Sequence, residues 1–228
     1  IQLEVFPQPQ AQFTLENVCR NDSLILENLS TAPPDRQLDT FIWTFGNGQG
    51  AYQENPQPVY SSPGNYDIQL IVGTNEGCMD TVSQMTTIYP LPKVQFFTQN
   101  VCAEDLATFT NASSIRDDIA NDFINSWTWF FGDGQKATDV QEPTHIYSES
   151  GDFTVQLEVI SDKGCRQTIS KGIEIYPLPD APIVENQNVC FGDAAVLKAL
   201  PPMASQVEWF EDMQALTPFH RGPSYLSP

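Results

Sequence analysis

The strings WTFGNG at residues 43–48 and WFFGDG at residues 129–134 decide the fold of this chain. They are nearly identical and lie one small domain apart, and recurrence at such a distance is the sequence signature of tandem modules. A tandem array favours a stalk of similar units and argues against a single catalytic pocket.

The similarity between the two units extends to both sides of these strings. An Asn-Val-Cys triplet precedes each string and occurs once more further on, at residues 17–19, 100–102 and 188–190. Each unit ends on Tyr-Pro-Leu-Pro, at residues 89–92 and 176–179, and a weaker copy stands at residues 5–9. The prolines restrict the backbone, so we expect semi-rigid joints and an elongated array.

The positions of these repeated strings set the bounds of the predicted domains. We expect the end of a preceding repeat or linker, two full domains and an incomplete third domain, at residues 1–10, 11–90, 91–178 and 179–228 respectively. The chain is therefore interpreted as an excerpt from a longer protein.

Alternation of apolar and polar residues follows a glycine in each unit. One face of the second unit carries Phe153, Val155, Leu157 and Val159, and the first unit repeats the pattern with Tyr66, Ile68, Leu70 and Val72. A polar residue with glycine then precedes a second strand, which is hairpin chemistry. The predicted fold class is all-β, with two sheets packed face to face in each unit.

Trp43 and Trp129 are candidates for two different roles. Exposed tryptophans can stack on sugar rings, but each of these alternates with Phe45 or Phe131 on a central strand. The alternation favours a place in the core. Trp127 is the better candidate for a surface aromatic.

The end of each tryptophan string predicts a tight turn. Glycine adopts positive φ without steric cost, and Asn and Asp are typical turn residues. We therefore assign a structural role to Gly46, Asn47, Gly48, Gly132, Asp133 and Gly134.

Taken together, these strings resemble the PKD (polycystic kidney disease) domain. The resemblance is carried by Trp-x-Phe-Gly-Asp-Gly, by Pro-x-His-x-Tyr at residues 143–147 and by Gly-Asp-Phe-Thr-Val-Gln-Leu at residues 151–157. It covers residues 11–178, with departures at Asn47 and Pro58, and it implies immunoglobulin-like β-sandwiches.

The cysteines and Tyr-Pro-Leu-Pro joints further resemble PKD repeats of large Bacteroidetes surface proteins of the gliding-motility adhesin type. Residues 207–210 and 222–225 are similar to another Ig-like repeat found in such proteins.

The resemblance implies a non-catalytic extracellular stalk or adhesive region, attached to the outer membrane through other parts of the protein. The partners it implies are other repeats of the same chain, a surface glycan or protein, and the secretion or motility machinery. The alternative is a set of accessory modules in a secreted hydrolase that engage a polymeric substrate. An enzyme is not expected, because neither histidine has a suggested nucleophile and supporting carboxylate.

The five cysteines divide between the units as two, two and one. Cys19 and Cys78 enclose the first tryptophan string, and Cys102 and Cys165 enclose the second at nearly equal spacing. This placement predicts one disulfide inside each unit, in an oxidising compartment. A metal site is the alternative, but clustered ligands are lacking.

The charge is strongly acidic, with 29 Asp and Glu against 10 Lys and Arg and a formal net charge of -19. Such a surface repels nucleic acids, so no nucleic-acid partner is expected. No cofactor is required by the sequence. The loop before Trp127 nevertheless offers oxygen ligands of the kind that Ca²⁺ prefers, and we consider a calcium site at Asp117, Asp118, Asn121 and Asp122.

Overall fold

The computed structural model describes residues 5–116, 118–179, 183–184, 188, 196–200, 207–210, 217–218 and 220–226. Within these residues the regular structure is entirely β, and the predicted fold class is confirmed. No helix in this described part is long and apolar enough to cross a membrane.

The strands of the first module follow the predicted alternation. They are β1 (Phe13–Thr14), β2 (Val18–Cys19), β3 (Glu27–Asn28), β4 (Leu38–Thr44), β5 (Gly50–Ala51), β6 (Gly64–Thr74) and β7 (Met79–Tyr89). Five of them form a sheet in the order β2-β7-β6-β4-β5, and β1 pairs with β3.

The second module repeats this order with small additions. Its strands are β8 (Phe96–Phe97), β9 (Val101–Cys102), β10 (Leu106–Thr108), β11 (Thr110–Asn111), β12 (Ile124–Phe130), β13 (Lys136–Thr138), β14 (Thr144–Ile146), β15 (Gly151–Ser161) and β16 (Arg166–Tyr176). The matching sheet has the order β9-β16-β15-β12-β13, while β8 pairs with β11 and β10 with β14.

The described part of the third segment contains β17 (Ile183–Val184), β18 (Val196–Leu200), β19 (Glu208–Trp209), β20 (His220–Arg221) and β21 (Ser224–Leu226). Strand β18 lies between β17 and β21, and β19 pairs with β20. Its assignment as an incomplete Ig-like domain stays a prediction.

One feature of the topology decides where the cysteines lie. In each module the long hairpin, β6–β7 or β15–β16, is joined at its open end by a short parallel strand, β2 or β9. The pairing sets Cys19 opposite Tyr89 and Cys102 opposite Tyr176. Cys19 and Cys102 therefore each lie at the end of their module where the chain leaves it.

Each module has its own aromatic core around its tryptophan. Trp43 is 1% exposed and Trp129 is fully buried, and their indole N–H groups donate to the carbonyls of Gln53 and Val140 at 3.1 and 3.0 Å. Trp127 is half-buried against the second core, so it does not present an open aromatic face.

A tyrosine fixes the strand that carries each tryptophan. The buried hydroxyls of Tyr60 and Tyr147 donate to the carbonyls of Phe45 and Phe131 at 2.8 and 3.0 Å. In each module the corresponding tyrosine thus satisfies the corresponding buried carbonyl, as expected of duplicated modules.

The turn after each tryptophan string needs glycine at its first position because backbone passes close by. A Cβ built on Gly132 would lie 2.7 Å from the carbonyl O of Thr154, while one built on Gly134 meets nothing within 4 Å. Both glycines have positive φ, at 90° and 91°. The Asp133 carboxylate closes the turn by accepting the N–H of Gln135 at 2.9 Å.

These two glycines give a matched pair of substitutions. Gly134→Ala should cost about 1–2 kcal/mol through backbone strain alone. Gly132→Ala adds a clash with rigid backbone, so we expect a total cost of about 3–4 kcal/mol. Urea denaturation of both variants measures the difference. Equal losses would contradict the close-approach explanation.

Candidate functional site at the module junction

The junction between the modules is held by a disulfide that crosses it. Cys19, at the exit end of the first module, is bonded to Cys165 in the β15–β16 turn of the second. Their Cα atoms lie 5.6 Å apart although the two residues are 146 positions apart in sequence. Cys165 is fully buried in this arrangement. The bond therefore joins the end of the first module where the chain leaves it to the hairpin turn of the second module.

The predicted bonds inside each module, Cys19–Cys78 and Cys102–Cys165, are wrong. Cys78 directly precedes β7, and Cys19 lies beside the last residue of that strand. Eleven residues of strand separate the two cysteines, a rise of about 36 Å. A disulfide tolerates a Cα separation of only about 7 Å. Strand β16 separates Cys102 from Cys165 in the same way, and Cys78 and Cys102 carry free thiols.

The hairpin turn that carries Cys78 or Cys165 has charged side chains of opposite order at corresponding positions in the two modules. In the first module Arg36 contacts Glu76 at 2.5 Å. The corresponding positions in the second are Asp122 and Lys163, and Lys163 contacts the neighbouring Asp162 at 2.5 Å. The charges at the two corresponding positions are exchanged, but Lys163 forms its ion pair with Asp162 and not with Asp122.

Asp122 is the buried member of this group, at 2% exposure. Burial, followed by the adjacent carboxyl of Asp162, raises the pKa of Asp122 to about 6. The pKa of Asp162 is lowered, first by the neighbouring Asp122 carboxyl and then by Lys163. Both carboxyl oxygens of Asp122 are buried without a hydrogen-bond partner among the described residues, so ionisation of this group is costly. The N–H of Phe123 also donates to Asp162, at 3.0 Å.

This arrangement predicts a pH-dependent stability. Because the pKa of Asp122 is raised in the folded state, its contribution is fully present below the unfolded value of about 3.9 and is lost as pH rises through about 6. Asp122→Asn imitates the protonated carboxyl. We expect it to stabilise the second module by about 1–2 kcal/mol at pH 7.5 and to have little effect at pH 4.

The matched control is Asp118→Asn. Asp118 is exposed and pairs with Arg116 at 2.5 Å, and exposed ion pairs contribute about 0–1 kcal/mol. The free energies of unfolding of both variants are compared by denaturation between pH 4 and 8. A stabilisation by Asp122→Asn that does not change with pH would contradict the raised pKa of Asp122.

The calcium hypothesis finds no assembled cluster in the described residues. Asp118 binds Arg116 through both of its oxygens, while Asp122 is buried beside Asp162. Asn121 is exposed, and Asp117 lies outside the described residues. Within the part that the structure describes, no group of three or more His, Cys, Asp or Glu side chains could hold a metal ion. The calcium site stays a prediction.

The buried His145 forms a polar pair with the more exposed Asp133, and this pair is confined to the second module. The Nε2 atom of His145 lies 2.7 Å from Asp133, and its ring stacks on Phe131 with centroids 4.1 Å apart. Burial tends to raise the pKa of Asp133, but the N–H of Gln135 and His145 outweigh it and lower that pKa. The pair fastens the glycine turn to the core, which is a structural use of histidine.

Sequence reasoning missed the charged group at the junction. The exchange of Arg36 and Glu76 for Asp122 and Lys163 is visible once the modules are aligned through β4 and β12. That exchange was the available signal that charged side chains gather at this turn in both modules. The buried state of Asp122 had no such signal in an acidic chain.

The fold and the repeated core define a pair of immunoglobulin-like β-sandwich modules. The family model of the PKD domain matches residues 6–89 and 90–175. The chain therefore belongs to the PKD domain family, whose domains are non-catalytic modules. These domains and the disulfide place the protein in an extracellular setting.

Similar proteins come from Vibrio species. The chain is 26% identical over 174 residues to the pre-pro-metalloprotease PrtV of Vibrio cholerae serotype O1, covering 73% of the chain and 17% of that protein. The chain thus spans about a sixth of the length of this relative. The PKD1 domain of Vibrio anguillarum Epp is 29% identical, with a TM-score of 0.33 over 36% of this chain and 94% of that one. The PKD1 domain of PrtV gives the same identity and TM-score, over 36% and 98%.

Proposed function

We propose that these modules are a load-bearing stalk and adhesive region of a large bacterial cell-surface adhesin that serves surface attachment or gliding motility. The observation that carries this proposal is the disulfide across the junction, since it joins two modules end to end at a point where a chain under tension would otherwise extend. A net charge of -19 supports it, because like-charged stalks repel one another at a crowded surface.

The alternative is an accessory region of a secreted hydrolase that engages a polymeric substrate. The similarity to part of a pre-pro-metalloprotease is compatible with this second function. Both functions place the reaction chemistry outside these modules. They differ in what is lost when the modules are removed.

In-frame deletion of residues 11–178 from the gene in its native host separates the two. The stalk function predicts loss of surface attachment or gliding, with secreted hydrolase activity unchanged. The accessory function predicts weaker cleavage of a polymeric substrate with normal cleavage of a small soluble substrate. Immunoblotting of surface and secreted fractions checks that the shortened protein is exported.

Unchanged attachment and gliding in an exported deletion protein would contradict the stalk. A matched chain with Cys19→Ser and Cys165→Ser tests the role of the junction bond directly. If tension matters, attachment of this variant should fail under shear flow and persist in still medium.

A further inference from the structure

Two cysteines outside the junction bond repeat the positions of the two that form it. Cys102 lies opposite the last residue of its hairpin, as Cys19 does in the first module. Cys78 precedes the returning strand of its hairpin, as Cys165 does in the second. Cys19 and Cys165 are bonded to each other, while Cys78 and Cys102 are free.

We propose that Cys78 and Cys102 are the open halves of two further junction disulfides. Cys78 would bond the Asn-Val-Cys cysteine of a preceding PKD repeat, and Cys102 a hairpin-turn cysteine of the module that follows. Successive repeats are then stapled head to tail, each bond joining two neighbours. This inference goes beyond the proposed function, since it concerns covalent assembly and holds for either role of the modules.

The surroundings of Cys78 are already those of such a junction. Phe6 belongs to the weaker copy of the Tyr-Pro-Leu-Pro joint, so it corresponds to Tyr89. The Cys78 Sγ lies 3.8 Å from the carbonyl O of Phe6, and the guanidinium of Arg36 lies 5.3 Å from the centre of the Phe6 ring. The β6–β7 turn therefore contacts the joint that precedes its module.

The backbone register gives the place of the missing cysteine. Cys19 pairs with Tyr89, and its sulfur reaches Cys165 in the next module. A preceding repeat with the same register would set its own cysteine opposite Phe6. That position lies beside the Cys78 sulfur, because Cys78 already approaches the Phe6 carbonyl.

The burial of the turn cysteine differs between the two modules. Cys165 is fully buried, whereas Cys78 at the corresponding position is half-buried. Cys19 and Cys102 are both half-buried. A neighbouring module covers the turn at Cys165, and Cys78 remains accessible to a partner.

Formation of each bond is a two-electron oxidation. Two thiols lose two protons and two electrons as the S–S bond forms. The acceptor is the disulfide of a thiol oxidoreductase or of oxidised glutathione, which is reduced to two thiols. An extracellular or periplasmic setting supplies acceptors of this class.

The test is an extended chain that contains a new junction, between the second module of one copy and the first module of the next. Residues 1–179 are followed directly by residues 10–228, which joins two copies of the module pair in phase through the native proline joint. Cys190→Ser is introduced here and in the unextended control chain. Both proteins are refolded in a glutathione redox buffer, and free thiols are alkylated before peptide mapping by mass spectrometry.

The control chain should carry two alkylated residues, Cys78 and Cys102. The extended chain should also carry two rather than four, with Cys102 of the first copy bonded to Cys78 of the second. Alkylation of those two residues while both Cys19–Cys165 bonds form would overturn the proposal, as would a bond inside a module. If the extended chain does not fold, disulfide mapping of the native protein decides. There Cys78 must be bonded to a peptide from another PKD repeat, and a free Cys78 thiol overturns the proposal.

Discussion

Pulled by its two ends in an optical trap, the oxidised chain is expected to release about 500 Å less contour length than the reduced chain when both modules unfold. The bond between Cys19 and Cys165 spans 146 positions of sequence, and each extended residue contributes about 3.5 Å. The covalent path runs from Cys19 directly to Cys165. Force applied at the ends therefore bypasses the residues between them.

The bypassed segment contains most of both sandwiches. Strands β3 to β7 of the first module and β8 to β15 of the second lie inside the disulfide loop. Strand β16 lies outside it and remains open to being pulled away from β15. The oxidised chain should accordingly yield a short extension at the second module, and the long extension should appear only after a reducing agent is added.

One double variant distinguishes this pairing from bonds inside each module, and a second double variant serves as its control. Two such bonds would withhold a similar total length, so the wild-type deficit alone is not decisive. The variant with Cys78→Ser and Cys102→Ser should still release about 500 Å less contour length when oxidised than when reduced. Bonds inside each module could not form in this variant, so they would predict no difference. Cys19→Ser with Cys165→Ser should extend fully with or without reductant. A full extension of the oxidised Cys78 and Cys102 variant would contradict the junction bond.

The cysteines show where prediction from the sequence reached its limit. Equal spacing in a repeat identifies which cysteines are equivalent, but it fits bonding within a module and bonding between neighbours equally well. The choice depends on whether Cys19 lies at the near or the far end of β7. That is set by the parallel pairing of a two-residue strand, Val18–Cys19, with Ile88 and Tyr89. Such a short strand has no periodicity that could predict its register.

The cores were accessible to prediction for a complementary reason. The alternating residues of β6 and β15 extend over eleven positions each, which is enough for a period of two to be recognised. Trp43 and Trp129 lie on strands with the same alternation and are buried. Asp122 was not accessible, because its burial depends on the packing of the β15–β16 turn and its sequence neighbours are also acidic.

The largest loss of stability is expected from Trp129→Ala. Trp129 is fully buried, with the ring centres of Phe96 and Phe109 at 5.1 and 5.6 Å. Removing a buried aromatic side chain costs about 3–5 kcal/mol. The change also leaves the Val140 carbonyl without the indole N–H. Since a small domain is stable by only about 5–15 kcal/mol, the second module should become marginal. Amide hydrogen exchange measures this through loss of protection in residues 91–178.

The reciprocal variant tests whether each module folds around its own tryptophan. Trp43 packs on Phe13 with ring centres 5.1 Å apart, so Trp43→Ala should remove protection from residues 11–90 and leave the second module protected. Trp127→Ala is the control within the second module, and its half-buried side chain should cost about 1–2 kcal/mol. Loss of protection in both modules from either core variant would show that they fold as one cooperative unit. The junction bond would then do more than fasten two independent domains, because each core would depend on its neighbour.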